Sequence, residues 1–308
     1  MARDLLRGGE GRFYRGNLHC HSDRSDGRVS PEAVARAYRE AGYDFICLSD
    51  HFEARYGWSV TDTRGLRRPG FTTIIGAELS SAPWDERTAY WITAAGLPLD
   101  FEPPPSEDHS EVITRAHQAG AFTTLLHPGL NNLPLAAVAE LPGIGAIDSV
   151  EIYNHNTAAA HPDRAEGAYM ADGLLERGQR LLLCAGDDAH FEFAGDRFGA
   201  WVEVHAEALD PRPLLDALRR GSYYSTQGPR LERLELEGRR LHVATSDAAC
   251  IALGGGGDRW LDATEARGPE QRPITEATFD LSPFQGSYCR ITVLDAQRRR
   301  AWSNPIWP

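Results

Sequence analysis

The stretch Asn17-Leu18-His19-Cys20-His21-Ser22-Asp23-Arg24-Ser25-Asp26-Gly27 contains a His-x-His pair that is followed, five residues later, by an aspartate. In an extended segment residues i and i+2 point to the same side, so His19 and His21 are able to face one cation while Cys20 faces away. A single pair of this kind also occurs as ordinary surface or core histidines. Its meaning therefore depends on the residues that follow.

Short apolar runs follow this stretch at residues 45–48, 74–77, 122–126, 150–153 and 181–185, and each is bounded by Gly, Pro or polar residues. Their length and character are typical of buried parallel strands. Each run ends at a polar group that is able to bind a metal ion. These groups are Asp50 with His51, Glu78, His127, His155, and Asp187 with Asp188 and His190.

Helical patterns separate the runs. Residues 30–42 begin with Ser30 as an N-cap and Pro31 in the first turn, and residues 110–119 are a second helical stretch before Gly120. Strands that alternate with helices predict a parallel sheet. With further strands near residues 16–19 and 200–205, we expect about seven strands in a closed or nearly closed α/β barrel, whose strand ends bring the polar groups to one rim.

Composition limits the class of protein. The chain of 308 residues is 42% hydrophobic and has a net charge of −12, which argues against a nucleic-acid-binding surface. It contains no lysine, which excludes a lysine nucleophile. The five cysteines have no C-x-x-C spacing and fit reduced core thiols. Residues 1–13 lack the apolar segment of a secretory signal, and no run is long enough to span a membrane, so we expect a cytoplasmic protein.

The pattern changes after residue 227. Alternating apolar residues on both sides of the turn at 237–240 predict an antiparallel hairpin, and residues 278–281 and 288–293 repeat the alternation. We therefore predict a hydrolase barrel over residues 1–227 and a small β-sheet or β-sandwich domain over residues 228–308. The glycine run at 254–257 lacks the strand-to-helix context of a phosphate loop and is interpreted as a hairpin loop.

The motifs together resemble a known family. They are Leu18-His19-Cys20-His21-Ser22 with Ser25-Asp26-Gly27, Leu48-Ser49-Asp50-His51, Gly76-Ala77-Glu78, Leu126-His127-Pro128 and Gly186-Asp187-Asp188-Ala189-His190. In this order they resemble the polymerase and histidinol phosphatase (PHP) family of metal-dependent phosphoesterases. The barrel followed by a β tail is similar to the carbaryl-hydrolase-like branch. The resemblance implies a distorted seven-stranded (β/α) barrel, related to the TIM barrel, that holds two or three divalent ions, commonly zinc, manganese or iron.

Carried over by residue, the resemblance implies two metal sites with catalytic ligands. One is His19, His21, Glu78 and Asp188, and the other is Asp26, His51 and His190. It also implies a third site near Glu78 and His127, for which the family pattern expects a further histidine where this chain has Tyr90-Trp91. His155, after the next predicted strand, is the candidate that would complete this site, and its alternative is a polar loop residue. We interpret Asp187 as a support for the ligands, and Asp50 as orienting His51 or a neighbour.

The expected reaction is hydrolysis of a small phosphate mono- or diester by a water that the metals activate. Arg55, Arg197 and Asn154 are the candidates for binding the substrate. The same chemistry would also cleave a carboxylic ester, carbamate or amide, which is the alternative prediction. A non-catalytic metal- or nucleotide-binding module is the third possibility. The expected partner is a small, phosphorylated molecule, with neither a nucleic acid nor a membrane.

Overall fold

A computed structural model of the protein describes residues 2–80, 90–103, 111–256, 261–265 and 272–308. Its strands are β1 (Arg3–Asp4), β2 (Arg12–Asn17), β3 (Phe45–Leu48), β4 (Thr72–Ser80), β5 (Trp91–Ala95), β6 (Phe122–Leu125), β7 (Ser149–Asn154), β8 (Leu182–Gly186), β9 (Trp201–Ala206), β10 (Tyr223–Thr226), β11 (Leu231–Glu237), β12 (Arg240–Ala248), β13 (Cys250–Gly255), β14 (Leu261–Glu265), β15 (Ile274–Asp280), β16 (Cys289–Leu294) and β17 (Arg300–Ser303). Its α-helices are α1 (Pro31–Glu40), α2 (Val112–Gln118), α3 (Leu135–Ala139), α4 (His155–Ala160), α5 (Ala168–Glu176) and α6 (Pro211–Arg219).

The protein is a mixed α/β structure built on one large sheet. Among the described residues, thirteen strands are hydrogen-bonded in the order β14-β13-β16-β17-β10-β9-β2-β3-β4-β5-β6-β7-β8. Strands β2, β3 and β4 are parallel to one another, as are β6, β7 and β8. Between these two groups lies β5, which is antiparallel to both of its neighbours and which the apolar pattern did not predict.

The closed seven-stranded barrel is not confirmed. Strand β8 is the last in the sheet order and pairs along its length with β7 alone. Beyond the strand ends, however, a parallel bridge joins Cys20, after β2, to Ala189, after β8. The backbone N–H of Asp188 donates to the carbonyl of His19 at 2.9 Å, so the two candidate ligand segments lie side by side.

The helix predictions are largely confirmed. Ser30 caps α1 by accepting a hydrogen bond from the backbone N–H of Ala33, and Pro31 occupies the first turn. The Tyr38 side chain of α1 is fully buried, and its hydroxyl donates to Asp187 at 2.8 Å. Helix α2 buries the predicted apolar face, although Ser110, its predicted start, lies outside the described residues. Through Tyr38, helix α1 therefore contacts the segment that follows β8 and carries candidate ligands.

The strands after residue 228 are antiparallel, as the alternation predicts. Strands β1, β11, β12 and β15 form a separate four-stranded sheet, whereas β13, β14, β16 and β17 extend the large sheet through pairing of β17 with β10. Apolar side chains from both sheets share one core, among them Leu234 and Phe279 on one side and Ile251 and Ile291 on the other. A separate C-terminal domain is therefore not confirmed, because part of this region continues the large sheet. Gly254 and Gly255 belong to β13 rather than to a loop.

Across the described part of the chain, no helix combines the length and the apolar character needed to cross a membrane.

Candidate metal centre

The predicted ligands lie where the parallel strands end. His19 and His21 follow β2, His51 follows β3, Glu78 is near the end of β4, His127 follows β6, and Asp188 and His190 follow β8. Parallel strands present their carboxyl ends at one edge of a sheet, so residues far apart in sequence meet there. The side chains form two overlapping groups of potential ligands, which we call the inner group (His19, His21, Glu78 and Asp188) and the outer group (His21, Asp26, His51 and His190).

The inner group is buried and closely spaced. His19 Nε2 lies 3.0 Å from Glu78 Oε2 and 3.2 Å from Asp188 Oδ1. His21 Nε2 lies 3.1 Å and 3.2 Å from the same two oxygens. Two imidazole nitrogens and two carboxylate oxygens therefore surround one point between the strand ends.

These distances fit a bound cation. Two ligand atoms about 2.1 Å from a zinc-like ion at the tetrahedral angle lie about 3.4 Å apart, close to the spacing seen here. His21 Nε2 is buried and makes no hydrogen bond, although two carboxylate oxygens lie within 3.2 Å of it. A buried polar atom without a partner is costly, and a metal ion at the shared point would satisfy it.

The outer group lies nearer the surface. His51 Nε2 is 3.2 Å from Asp26 Oδ2, and His190 Nε2 is 3.4 Å from Asp26 Oδ1. His21 Nδ1 is 3.6 Å from the same Asp26 Oδ1. Since His21 turns its other nitrogen toward the inner group, its imidazole joins the two groups. Asp26, His51 and His190 are all partly exposed.

The charges of the inner group determine its pKa values. Burial by itself would lower the pKa of His19, but the charges of Asp188, Glu151 and Glu78 raise it well above the usual value. Burial would raise the pKa of Glu78, and the charges of His51 and His19 instead hold it well below. The pKa of Asp188 is lowered in the same way, against burial, mainly by His19. The carboxylates are therefore ionised at neutral pH, as metal ligands must be.

The outer histidines show the same balance. Burial would lower the pKa of His51, but the charge of Glu78 and a hydrogen bond to Asp26 raise it to about 9. Burial would also lower the pKa of His190, but its hydrogen bond to Asp26 and the charge of Asp188 raise this pKa to about 9. Asp26 has a pKa far below its usual value because His190 and His51 bond to it, which outweighs its partial burial.

A further carboxylate, Glu151 of β7, supports the inner group from behind. Its Oε1 lies 2.9 Å from His19 Nδ1, and its Oε2 accepts from the backbone N–H of His127 at 2.8 Å and from Asn154 Nδ2 at 3.0 Å. A carboxylate at Nδ1 places the proton of a neutral imidazole there, which leaves the Nε2 lone pair of His19 facing the centre. Gly186 permits this approach, because a Cβ there would lie 3.1 Å from both Glu151 Oε1 and the His19 Cβ.

Two candidate ligands have a positive φ, a backbone conformation that residues other than glycine rarely adopt. Asp188 has φ of +56° and His127 has φ of +26°. Such conformations cost about 1–3 kcal/mol and persist where the surroundings fix them, often at functional sites. The hydrogen bond from the Asp188 N–H to His19 and that from the His127 N–H to Glu151 are the contacts that fix these two.

Asp187 and Asp50 support the centre through loops. Asp187 Oδ1 accepts from the N–H groups of Gly199 and Ala200, and its Oδ2 accepts from Tyr38, so it fixes the segment after β8 as a supporting residue would. Asp50 accepts from Ser22, Ser25 and Thr61. It therefore fixes the loop that carries Asp26 rather than the ring of His51.

The third predicted site is incomplete among the described residues. His127 Nε2 lies 3.5 Å from Glu78 Oε1, on the side of that carboxylate away from His51. The ring of Trp91, where the family resemblance expects a histidine, lies 5.8 Å from the ring of His127. His155 belongs to neither ligand group. Its ring packs on the Cα of Gly199, where no Cβ would fit, at the start of α4.

Two of the side chains predicted to bind the substrate, Arg55 and Arg197, have partners within the protein. Arg55 donates to Glu53 at 2.7 Å, and Arg197 donates to Asp196 at 2.9 Å and to the Phe193 carbonyl at 2.7 Å. Both guanidinium groups are therefore held by neighbouring loop residues, which sequence spacing cannot reveal.

Asn154 is also committed elsewhere. It is 1% exposed; its Nδ2 donates to Glu151 and Asp188, and its oxygen accepts from the backbone of Thr157. These contacts use both donors and one acceptor position of the amide. Asn154 therefore positions the carboxylates of the centre.

An open pocket of about 510 Å³ lies against the outer group. Its lining consists of Ser25, Asp26, Arg28, Tyr56, Asn156, His190 and Glu192. The Tyr56 ring stacks on His51 with centroids 6.1 Å apart, and burial together with the charge of Asp26 raises its pKa. Sequence reasoning missed Arg28 and Tyr56, although Arg28 directly follows the Asp26-Gly27 motif.

Neither a protein-family model nor a curated protein sequence matches the chain. A solved two-domain protein from Bacteroides vulgatus ATCC 8482, described as containing a predicted PHP-like metal-dependent phosphoesterase, is 15% identical with a TM-score of 0.53, and the match covers 95% of each chain. The chain has a PHP-like fold. The inner and outer groups thus lie at the strand ends of a PHP-like fold.

Two further solved structures are similar over part of the chain. A metal-dependent phosphoesterase, so described, from Bifidobacterium adolescentis ATCC 15703 is 14% identical with a TM-score of 0.40, over 59% of this chain and 88% of that one. An amidohydrolase from Chromobacterium violaceum, solved with bound sulfate and no metal, is 12% identical with a TM-score of 0.44, over 57% and 87%.

Proposed function

We propose that the protein is a PHP-family metal-dependent hydrolase that cleaves a small phosphate mono- or diester. The observation that carries this proposal is the pair of ligand groups that share His21. In the inner group, two imidazole nitrogens lie 3.0–3.2 Å from the same two carboxylate oxygens. In the outer group, one carboxylate lies between three imidazoles and borders an open pocket.

The residues present would hold at least two divalent cations, with zinc, manganese or iron as the candidates. His19, His21, Glu78 and Asp188 would hold one, and Asp26, His51 and His190 would hold the other. When bound, such cations lower the pKa of water toward neutrality and stabilise the charge that develops on phosphoryl oxygens. His127 and Glu78 would form part of a third metal site, and His155 is the candidate third ligand.

The chain's own residues supply orientation. Glu151 fixes the tautomer of His19. The amide nitrogen of Asn154 donates hydrogen bonds to Glu151 at 3.0 Å and to Asp188 at 3.2 Å, which fixes the positions of both carboxylates. Asp50 fixes the Ser22–Ser25 turn and thereby the position of Asp26. Asp26 and His190 turn toward the pocket, so a substrate entering there meets the outer group first.

We also propose the finer organisation. Residues 1–227 would form a barrel unit and residues 228–308 a small β unit, in keeping with the similar protein from B. vulgatus, which is described as having two domains. The five cysteines are free thiols, which suits a reducing, cytoplasmic location. The C-terminal strands make the carbaryl-hydrolase-like branch our preferred placement within the family.

Elemental analysis of protein purified without added ions tests the first step. We expect at least two equivalents of divalent metal per chain, and loss of hydrolysis after chelation that is restored by adding metal. A screen that compares aryl phosphate mono- and diesters with carboxylic esters, carbamates and amides tests the reaction class. Protein that binds no metal, with no ion restoring turnover, would overturn the proposal, and turnover of carbonyl esters alone would overturn the phosphoester assignment.

A further inference from the structure

The pocket beside the outer group contains one guanidinium group among its described lining residues, that of Arg28. The backbone N–H of Arg28 donates to the carbonyl of His190 at 2.8 Å, which anchors this residue next to a candidate metal ligand. The preceding residue, Gly27, packs so closely against the backbone of His21 and Ser22 that a Cβ would lie 2.7–2.8 Å from it. The main chain at Arg28 is therefore held in place on both sides.

The Arg28 guanidinium, by contrast, is held weakly. Its partner is the carboxylate of Glu192, and the two side chains are 64% and 47% exposed. An ion pair at this exposure adds little net stability, because water screens it and holding two long side chains costs entropy. Arg28 is therefore able to exchange Glu192 for another anion at small cost.

A carboxylate that lies outside the two ligand groups remains in the pocket beside Arg28. Asp26 and Glu192 line the pocket, Glu78 and Asp188 lie behind it, and the chain as a whole has a net charge of −12. Bound cations would offset the charges of Asp26, Glu78 and Asp188, but Glu192 belongs to neither ligand group and repels an anionic ester at the pocket. A guanidinium offers paired N–H donors that match two oxygens of such an anion, which makes it the favoured group for binding one.

We propose that Arg28 is the specificity-determining residue of the pocket. It binds an anionic oxygen of the substrate by exchanging Glu192 for it, so that the site selects anionic esters over neutral ones. This inference rests on the proposed function, and it names the substrate feature that the protein recognises. Glu192 then acts as a competing anion that occupies Arg28 in the free protein.

The kinetic test compares an anionic with a neutral ester of the same leaving group, 4-nitrophenyl phosphate and 4-nitrophenyl acetate. We expect Arg28→Ala to lower the ratio of kcat/KM for the phosphate to that for the acetate by about 10- to 100-fold, the loss typical of a charged hydrogen bond. Arg28→Lys should lower this ratio less, since lysine keeps the positive charge but lacks the paired N–H donors of the guanidinium. Arg36→Ala is the matched control, an exposed arginine on α1.

Removing the competing anion should have the opposite effect. Glu192→Gln keeps the size of the side chain and is expected to lower KM for the phosphate by up to about fivefold. A raised KM would show that Glu192 positions Arg28 for binding rather than competing for it, and would overturn the exchange. Equal losses on both esters in Arg28→Ala would overturn the specificity role.

A binding measurement keeps the test separate from turnover. Calorimetric titration of inorganic phosphate into the metal-loaded protein should show about 10-fold or greater weakening in Arg28→Ala, with metal content equal to that of the wild type by elemental analysis. Unchanged phosphate affinity would overturn the inference. If the wild type hydrolyses neither ester, the proposed function fails; if it does and Arg28→Ala behaves like Arg36→Ala, only the role of Arg28 fails.

Discussion

The inner and outer ligand groups use the same residue types in different surroundings. The inner ligands are buried between the ends of β2, β4 and β8, and Glu151 and Asn154 support them from β7. The outer ligands lie nearer the surface, where the side chains of Asp26, His190 and His51 are 36%, 18% and 11% exposed, and Asp26 and His190 line the pocket. Burial and a supporting carboxylate suit tight retention of a cation, whereas exposure suits contact with a substrate.

His21 makes the two groups interdependent. Its Nε2 faces the inner carboxylates and its Nδ1 faces Asp26, so one imidazole contacts both groups. Its ring also stacks on that of His190, with centroids 4.3 Å apart. Loss of the inner cation is therefore expected to disturb the outer group, whereas the outer group has less influence on the buried one.

The largest expected effect is loss of an inner ligand. Asp188→Ala should lose the inner cation and lower kcat by at least about 10³-fold, because several kcal/mol of charge stabilisation would be removed. His190→Ala should keep the inner cation and lose the outer one. Elemental analysis and kcat for both variants, with circular dichroism to check folding, measure the difference.

Equal metal loss in the two variants would show that the groups are not distinct. His19→Ala should behave as Asp188→Ala does, since both side chains face the same inner point. A folded His19→Ala protein that keeps full metal content and activity would contradict the inner assignment.

A smaller effect is expected from the residue behind the inner group. Glu151→Gln keeps the shape of the side chain but removes the charge that His19 Nδ1 meets, and should weaken metal affinity about 10- to 100-fold. Competition with a chromophoric chelator measures this affinity. Glu203→Gln is the matched control, because Glu203 lies in β9 and bonds to Trp201; a similar loss there would point to general destabilisation.

The smallest effect is the pH dependence of the metal-free protein. His51 and His190 have pKa values of about 9, raised from 6.5, so the stability they contribute is fully present below pH 6.5 and is lost as the pH rises through about 9. The thermal unfolding temperature of the metal-free protein should therefore decrease as the pH rises from 6.5 to 9. Metal affinity should rise over the same range, because binding must displace these protons.

Asp26→Asn provides the check on this profile, since Asp26 bonds to both histidines. The variant should show a flatter fall in unfolding midpoint with rising pH. A wild-type midpoint that rises with pH in the metal-free state would contradict the assigned shifts.

The helices and most of the strands were predictable because their signals are local. Ser30 with Pro31 specifies the start of α1, and the apolar runs specify β3, β6, β7 and β8 through burial. Strand β5 (Trp91–Ala95) was missed although it is as long as the predicted β8, and its antiparallel place between β4 and β6 arises from pairing that no local signal specifies. The pairing of β17 with β10, which joins the tail to the large sheet, is non-local for the same reason.

The sequence by itself determined which residues are available for metal binding, because imidazoles and carboxylates recur at predicted strand ends. The family resemblance also implied the two groups, and the tertiary structure added that His21 reaches both of them through its two ring nitrogens. The tertiary structure also showed which partners Arg55, Arg197 and Asn154 have within the protein, and it placed Arg28 at the pocket. Long polar side chains take whichever partner the folded loops place within reach, and sequence spacing does not encode that distance.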